Sequence, residues 1–539
     1  MACTTILVGR GASYDGSTII ARNEDDEPGS FNNKKLIIVK PADQPRTYTS
    51  VNGHRTIQLP DDPLQYSETP NSFTSDGVWG EAGMNEANVA MTATETITTN
   101  ARVLGADPLV PYVPAKGKEG EPGYVPEQIG GIGEEDLVTI VLPYIHSARE
   151  GVERLGHLLE EYGTYESNGI GFSDAYEIWW LETVGGHHWI ARRVPDDCYV
   201  TNPNRLGIDE FDLKDAEGEQ NEYMCSADLR TWMRRHHLDL DWEDDDIFNP
   251  RHAFGSHSDM DHVYNTPRAW MMQRTLNPRD EVWDGPDADM TPSDDDIPWC
   301  RQPDMKITIE EVDYILALHY QGTEYDPYGK LGTDATRHLY RPIGINRTCE
   351  RSIMQIRPYA PQADRSIHWI TFASTPFNAA VPFFANVDAM PTYVSDTTSE
   401  VTLDSYYWAS RLLAVLGDDN YAGTHEETAG YKQAVAALGH EIIFRTDQLL
   451  AGADDKDADA RAAAARETQT EEEREIVDVE PMKPEDVTKA TRNADVRAML
   501  AKANQKMADE LKAQTQTMIA GALQATSVSM KNAFSMADF

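Results

Sequence analysis

The chain of 539 residues is strongly acidic, with 47 Lys and Arg against 90 Asp and Glu and a formal net charge of −43. Hydrophobic residues make up 40% of it, which is enough for a folded core and excludes global disorder. The acid excess argues against contact with a phosphate backbone, which needs clusters of Lys and Arg, so we expect no nucleic-acid partner.

The sequence predicts neither a membrane span nor a secretory signal. No apolar run reaches the ~18–20 residues that a span requires, and residues 1–5 lack the basic and apolar regions of a signal peptide. The cysteines are odd in number, scattered and without a CxxC pair: Cys3, Cys198, Cys225, Cys300 and Cys349. We therefore expect a reduced, cytoplasmic location and no membrane association.

The first forty residues are predicted to form β-structure. Residues 4–8 and 17–21 are rich in β-branched side chains and flank turn formers at 11–16, a pattern typical of a hairpin. Residues 36–39 indicate a third strand, and two more short strands are expected within 77–99.

Helix and strand signals alternate through the rest of the chain. Apolar spacing predicts a helix over 134–162, which Pro143 and Gly151 are expected to divide. The other assignments are strands at 175–182, 187–194 and 198–201, acidic surface loops at 241–246 and 284–296, strands within 365–400, an acidic Ala-rich insertion or linker at 451–475, and a helix at 495–529.

Several common catalytic motifs are absent from the sequence, among them HExxH, GxSxG and the Walker A motif. The best metal candidate is the segment 257–262, which contains two histidines and two aspartates. A polar loop whose histidines bond to backbone is the alternative, and because no third anchoring motif lies nearby we expect no metal and no cofactor.

The informative feature is a cysteine at position 3. If Met1 and Ala2 are removed, Cys3 carries its own base, because an α-amino group with a pKa of ~7.7–8.0 can accept the thiol proton. Pairing across the hairpin places Cys3 opposite one of residues 22–26, which include Arg22 and Asp25. A guanidinium beside sulfur favours the thiolate, and a carboxylate can hold an amine. An incidental cysteine and a surface ion pair are the alternative.

These residues resemble the amino terminus of the C69 dipeptidases of dipeptidase A type. The wider penicillin V acylase and cholylglycine hydrolase group shares the pattern of a cysteine followed by Arg-Asn-x-Asp. Further blocks spread over nearly the whole chain are similar to the same dipeptidases: residues 83–86, 200–206, 251–267, 322–329, 345–348 and 530–535.

The resemblance implies an α+β fold, a four-layer αββα sandwich of the N-terminal-nucleophile hydrolases with additional C-terminal helices. It implies that Cys3 is the nucleophile and its amine the base, that Arg22 and Asp25 orient the amine and tune the thiol, and that Asn202 donates to the oxyanion. Arg347 matches a distal arginine. Where the acylases carry another oxyanion asparagine, this chain reads Thr92-Ala93-Thr94-Glu95, which leaves a second donor unassigned.

The resulting prediction is a cysteine dipeptidase of broad specificity that cleaves dipeptides through an acyl-enzyme. The alternatives are an amidase of N-acyl amides such as penicillin V or bile salts, a secernin-like protein without hydrolytic activity, and a metal-dependent dipeptidase. We expect a catalytic domain at 1–450, the insertion at 451–475, and a helical segment at 476–539 packed on the catalytic domain. Assembly into a homo-oligomer is left open.

Overall fold

Two antiparallel β-sheets form the centre of the computed structural model, which describes residues 3–30, 32–93, 95–241, 246–450 and 482–532. In chain order the strands are β1 (Thr4–Val8), β2 (Thr18–Asp25), β3 (Ile37–Val39), β4 (Thr47–Thr49), β5 (Thr56–Gln58), β6 (Tyr66–Glu68), β7 (Ala82–Asn85), β8 (Ala90–Thr92), β9 (Glu95–Thr96), β10 (Asn168–Ser173), β11 (Ile178–Thr183), β12 (Trp189–Arg193), β13 (Tyr199–Asn202), β14 (Phe211–Asp212), β15 (Tyr223–Cys225), β16 (Ile247–Phe248), β17 (Cys300–Arg301), β18 (Thr348–Ile356), β19 (Ser366–Phe372) and β20 (Val381–Phe384).

Helices connect and cover these strands, so the chain is of the α+β class. They are α1 (Ala101–Ala106), α2 (Glu134–Val141), α3 (Ala148–Tyr162), α4 (Leu213–Glu217), α5 (Leu229–His236), α6 (Pro250–Phe254), α7 (Asp261–Tyr264), α8 (Thr266–Leu276), α9 (Ile309–Ile315), α10 (Thr392–Ser395), α11 (Tyr406–Asp419), α12 (Tyr421–Leu450), α13 (Pro484–Thr491) and α14 (Ala494–Val528), with 3₁₀ turns at Pro41–Asp43, Leu142–Tyr144 and Thr375–Phe377.

The first sheet has the strand order β17-β13-β1-β2-β18-β19-β20, and the second has the order β15-β12-β11-β10-β8-β7-β6-β3 with β9 also paired to β10. The predicted hairpin is confirmed as β1 and β2, whose register pairs Thr4 with Asn23 and Thr5 with Arg22. On its other side β1 pairs with β13, where Thr5 lies opposite Asn202. The amino-terminal strand therefore lies between the strands that carry three of the predicted site residues, Arg22 and Asp25 on β2 and Asn202 on β13.

Alternation along the strands determines which core each side chain joins. Leu7 and Ile20 of the first sheet share a buried core with Trp180 of the second sheet. Their neighbours Ile6 and Ala21 point to the other face, where they join the core formed with α11, α12 and α14. The far face of the second sheet packs in a third core with α2 and α3.

The predicted helix over 134–162 is confirmed in two pieces, α2 and α3, with the break at Pro143. The second predicted break, at Gly151, is wrong, because α3 runs through that residue. Gly151 lies against the ring of Phe172, which would be 2.4 Å from an added Cβ. The glycine is needed for close packing of the helix on the sheet.

Within 365–400 the strand prediction is confirmed for β19 and β20 but is wrong at 392–395, which form α10. Pro391 immediately before α10 has no N–H to continue a ladder. The helix predicted at 495–529 is confirmed as α14, which packs on α11, α12 and β20. The predicted linker at 451–475 and most of the acidic loop at 241–246 lie outside the described residues.

Candidate functional site

The buried amino-terminal cysteine lies against an arginine. Nη2 of Arg22 is 2.7 Å from Sγ of Cys3, and both side chains are almost completely buried. Because Thr5 lies directly opposite Arg22, Cys3 and Thr5 face the same side of β1, toward the second sheet. The predicted approach of guanidinium and sulfur is therefore observed, between the two sheets.

Two glutamates that the sequence analysis did not single out bind the same guanidinium. Arg22 donates from Nη1 to Glu81 at 2.6 Å and from Nη2 to Glu134 at 2.8 Å. Glu81 lies just before β7 and Glu134 at the start of α2, where the helix dipole favours negative charge. Burial raises the pKa of Glu81 to about 8, assisted by the neighbouring charge of Glu134.

The electrostatic environment of Cys3 contains opposing contributions. Burial raises the pKa of the Cys3 thiol well above its usual range, Arg22 lowers it, and the carboxylates of Glu95 and Glu134 raise it further. The thiol is thus held in its neutral form while it is enclosed. Admission of water or of a polar substrate would remove the largest of these effects and leave Arg22 beside the sulfur.

Glu95 is a third buried carboxylate close to the start of the chain. Thr5 donates from Oγ1 to Oε2 of Glu95 at 2.7 Å, so the second sheet reaches across to β1 at this point. Burial raises the pKa of Glu95 to about 7. Among the described residues its other oxygen, Oε1, is buried without a hydrogen-bond partner.

Asn202 is brought to the same face of the sheet by its pairing with Thr5. Its amide nitrogen donates to the backbone oxygens of Pro203 and Arg205, both at 3.3 Å. Within the described part of the chain its Oδ1 is buried with no hydrogen-bond partner. The side chain is fixed by the loop that follows β13.

Asp25 lies three residues beyond Arg22 on β2, so alternation turns it to the opposite face of the sheet. It accepts a hydrogen bond from Thr348 at 2.6 Å and forms a buried ion pair with Arg341. The hydrogen bond from Thr348 and the ion pair with Arg341 therefore place Asp25 in a network on the opposite side of β2 from the Cys3 sulfur.

Arg347 joins this second network through the hydroxyl of Tyr264, to which its Nη2 donates. The Tyr264 ring also lies 5.0 Å from the guanidinium of Arg341 and 5.2 Å from that of Arg268. Of the five predicted site residues, the structure thus brings Arg22 into contact with Cys3 and Asn202 to the same sheet face. It places Asp25 and Arg347 in the network around Tyr264.

Arg268, which the sequence analysis did not assign, anchors the start of the chain. It donates to the backbone oxygen of Cys3 and, at 2.6 Å, to Oγ1 of Thr4. Its remaining donors go to Asn204, Asn265 and the backbone oxygen of Tyr264. The only sequence signal was its position directly after the block 251–267.

The metal candidate at 257–262 forms a hydrogen-bonded loop. His262 lies 3.2 Å and His257 3.8 Å from Asp295, while Asp261 accepts bonds from Ser256 and Ser258. Across the described ranges no group of three or more His, Cys, Asp or Glu side chains is arranged to hold a metal ion. The same residues include no helix with the length and apolar character to cross a membrane.

Comparisons with known proteins agree on one family. Residues 2–434 match the model of Peptidase family C69. Over 539 residues and the whole of both chains, the protein is 59% identical to a dipeptidase of Bifidobacterium longum and 48% identical to a probable dipeptidase A of Streptococcus pyogenes serotype M3. It is also 43% identical to dipeptidase A of Lactobacillus helveticus, with 84% of this chain and 90% of that protein aligned.

Proposed function

Because the chain belongs to peptidase family C69, we propose that it is a dipeptidase of broad specificity in which Cys3 is the nucleophile. The observation that supports this role is the 2.7 Å contact between Arg22 and the Cys3 sulfur. Full-length similarity to proteins named as dipeptidases supports the substrate class.

The proposed reaction requires prior hydrolysis of the peptide bond between Ala2 and Cys3, which consumes one water molecule and frees the α-amine of Cys3. An amide nitrogen is a poor base, whereas the freed α-amine of Cys3 accepts the thiol proton. The sulfur then attacks the dipeptide carbonyl, the ammonium so formed protonates the leaving amine, and an acyl-enzyme remains. Water, deprotonated by the same amine, releases the acid and restores the thiol. Arg22 stabilises the thiolate through its charge.

The other predicted site residues have supporting roles in this proposal. Asn202 lies beside Thr5 and would donate to the oxyanion by exchanging one of the two 3.3 Å bonds that its amide nitrogen makes to the backbone oxygens of Pro203 and Arg205. Asp25 and Arg347 would act as positioning residues, because the network around Tyr264 includes Arg268, which holds the Cys3 carbonyl.

We also propose that the architecture is the four-layer αββα sandwich of the N-terminal-nucleophile hydrolases. The shared core between the sheets and the helices on their outer faces support it. The catalytic domain would comprise residues 1–450, with the segment 476–539 packed on it, as the contacts of α14 suggest. We also propose a cytoplasmic location, which is supported by the five cysteines, all of them free thiols.

The proposal is tested by assaying the purified protein on a panel of dipeptides and on penicillin V and glycocholate. Turnover of dipeptides that Cys3→Ser abolishes supports it, with Cys349→Ser as the control, since both cysteines are completely buried. Intact mass should show that active protein begins at Cys3. Full activity with Ala2 retained, or turnover of only the N-acyl amides, would contradict it.

A further inference from the structure

The buried carboxylate of Glu95 carries an inference about how the substrate is recognised. The side chain is completely buried, one oxygen is bonded to Thr5, and the other has no hydrogen-bond partner among the described residues. A buried oxygen without a donor is costly unless a ligand or water supplies one. This oxygen is therefore available to a donor that enters the site.

The position of Glu95 relative to the nucleophile follows from the strand. Cys3 and Thr5 face the same side of β1, with their Cα atoms about 6–7 Å apart at the usual rise per residue. The Glu95 carboxylate, which is 2.7 Å from the Thr5 hydroxyl, is therefore displaced from the Cys3 sulfur in the direction in which β1 runs. Its negative charge raises the pKa of the Cys3 thiol.

That spacing matches the geometry of a dipeptide undergoing attack. Its α-nitrogen is about 2.5 Å from the carbonyl carbon, because only the Cα atom separates them. Sulfur approaches the carbon to about 3 Å, and an ammonium bonds to a carboxylate at about 2.8 Å. A group that holds the substrate ammonium therefore has to lie within about 8 Å of the sulfur.

The direction of the chain distinguishes the substrate amine from the amine of Cys3 itself. Cys3 directly precedes β1 and Thr5 lies further along the strand, whereas the α-nitrogen of Cys3 lies on the opposite side of its Cα, toward residue 2. Glu81 and Glu134, the other nearby carboxylates, already bind Arg22. Glu95 is thus the carboxylate best placed for a further cation.

We infer that Glu95 binds the free α-ammonium of the substrate's first residue, which restricts the enzyme to amides whose acyl part carries that ammonium. This inference rests on the proposed dipeptidase function and narrows it. N-acyl amides, which lack the positive charge, would leave Glu95 buried and unpaired. The carboxylate would then select dipeptides against the substrates of acylases.

The test compares Ala-Ala with propionyl-Ala, which has the same shape but no ammonium. Wild type should prefer Ala-Ala by at least about 10- to 100-fold in kcat/KM, the factor expected for one hydrogen bond to a charged group. Glu95→Gln should lose about this factor on Ala-Ala, chiefly through a higher KM, and should change propionyl-Ala by less than about threefold.

The matched control is Glu68→Gln, which makes the same change at another buried glutamate whose Oε1 also has no hydrogen-bond partner in the described structure. It should leave the preference of wild type unchanged. Equal cleavage of both substrates by wild type would overturn the inference without any variant. So would equal losses on both substrates in Glu95→Gln, which would indicate a role toward Cys3. Absence of turnover of every dipeptide tested would instead refute the proposed function.

Discussion

Gly207 lies directly against the side chain of Asn202: a Cβ atom at position 207 would be 1.9 Å from Oδ1 of the amide. The same added atom would be 2.7 Å from the ring of Trp299. Any larger residue at 207 must therefore displace Asn202 or the loop that holds it.

Gly207→Ala is accordingly expected to reduce kcat for dipeptides by about 10²–10³-fold, the usual cost of losing an oxyanion donor. KM should change little, because the displaced amide would act in the transition state. Gly430→Ala is the control, since an added Cβ there meets open space on α12. That variant should retain activity and gain about 0.5–1 kcal/mol of stability. Normal kcat in Gly207→Ala would exclude Asn202 as the donor.

Two substitutions at Arg22 distinguish the contribution of its positive charge from that of the shape of its guanidinium group. Arg22→Ala removes the guanidinium that pairs with the buried carboxylates of Glu81 and Glu134, and we expect a loss of about 3–5 kcal/mol in unfolding free energy. Arg22→Lys keeps the charge but loses the fork that reaches both carboxylates and the sulfur. It should be more stable than Arg22→Ala and at least about tenfold less active than wild type.

The control for Arg22→Lys is Arg357→Lys, at a buried arginine paired with Asp447 in a separate region. Chemical denaturation and dipeptide turnover should show that it loses stability but not kcat. If both lysine variants kept full activity, a guanidinium beside the sulfur would not be required.

The hairpin and the approach of Arg22 to Cys3 could be predicted because they depend on local pattern. Turn formers between two β-branched runs fix the register, which pairs Thr4 with Asn23. The spacing of Arg22 and Asp25 also predicts that the two side chains separate. Residues three positions apart on a regular strand face opposite sides of the sheet. In the structure this alternation of side chains along β2 places Arg22 and Asp25 on different faces of the sheet.

The remaining parts of the site could not be read from local pattern. Glu81, Glu95 and Glu134 are distant in sequence from Cys3, and buried glutamates are rare enough that composition gives no reason to select them. Helix α12 was missed for a related reason. Its buried face includes Thr424, Thr428 and Gly439, so the apolar period that marks a helix is weak.

The ion pair of Asp25 and Arg341 allows a test of how much the network around Tyr264 contributes to the free energy of unfolding. Both side chains are almost fully buried, so Asp25→Asn removes the carboxylate that pairs with the Arg341 guanidinium and should cost about 3–5 kcal/mol. The double variant with Arg341→Met should regain part of this stability, as a double-mutant cycle in urea would reveal. An Asp25→Asn protein as stable as wild type would show that the pair contributes nothing.

The buried carboxyl groups predict that stability decreases as the pH rises from weakly acidic to neutral values. Burial raises the pKa of Glu68 from 4.5 to about 7. A group whose pKa is raised by folding stabilises the protein below its unfolded pKa, and this contribution is lost as the pH rises through the folded value. For Glu68 alone the change is at most about 3 kcal/mol between pH 4.5 and 7.

Glu68→Gln cannot titrate, so the difference in unfolding free energy between wild type and this variant should change by up to that amount over this range. Urea denaturation of both proteins at pH 5, 6, 7 and 8 measures it. Glu182, also buried with a pKa raised to about 7, adds to the slope of both proteins and cancels in the difference. A difference independent of pH would mean that Glu68 ionises in the folded protein as it does in water.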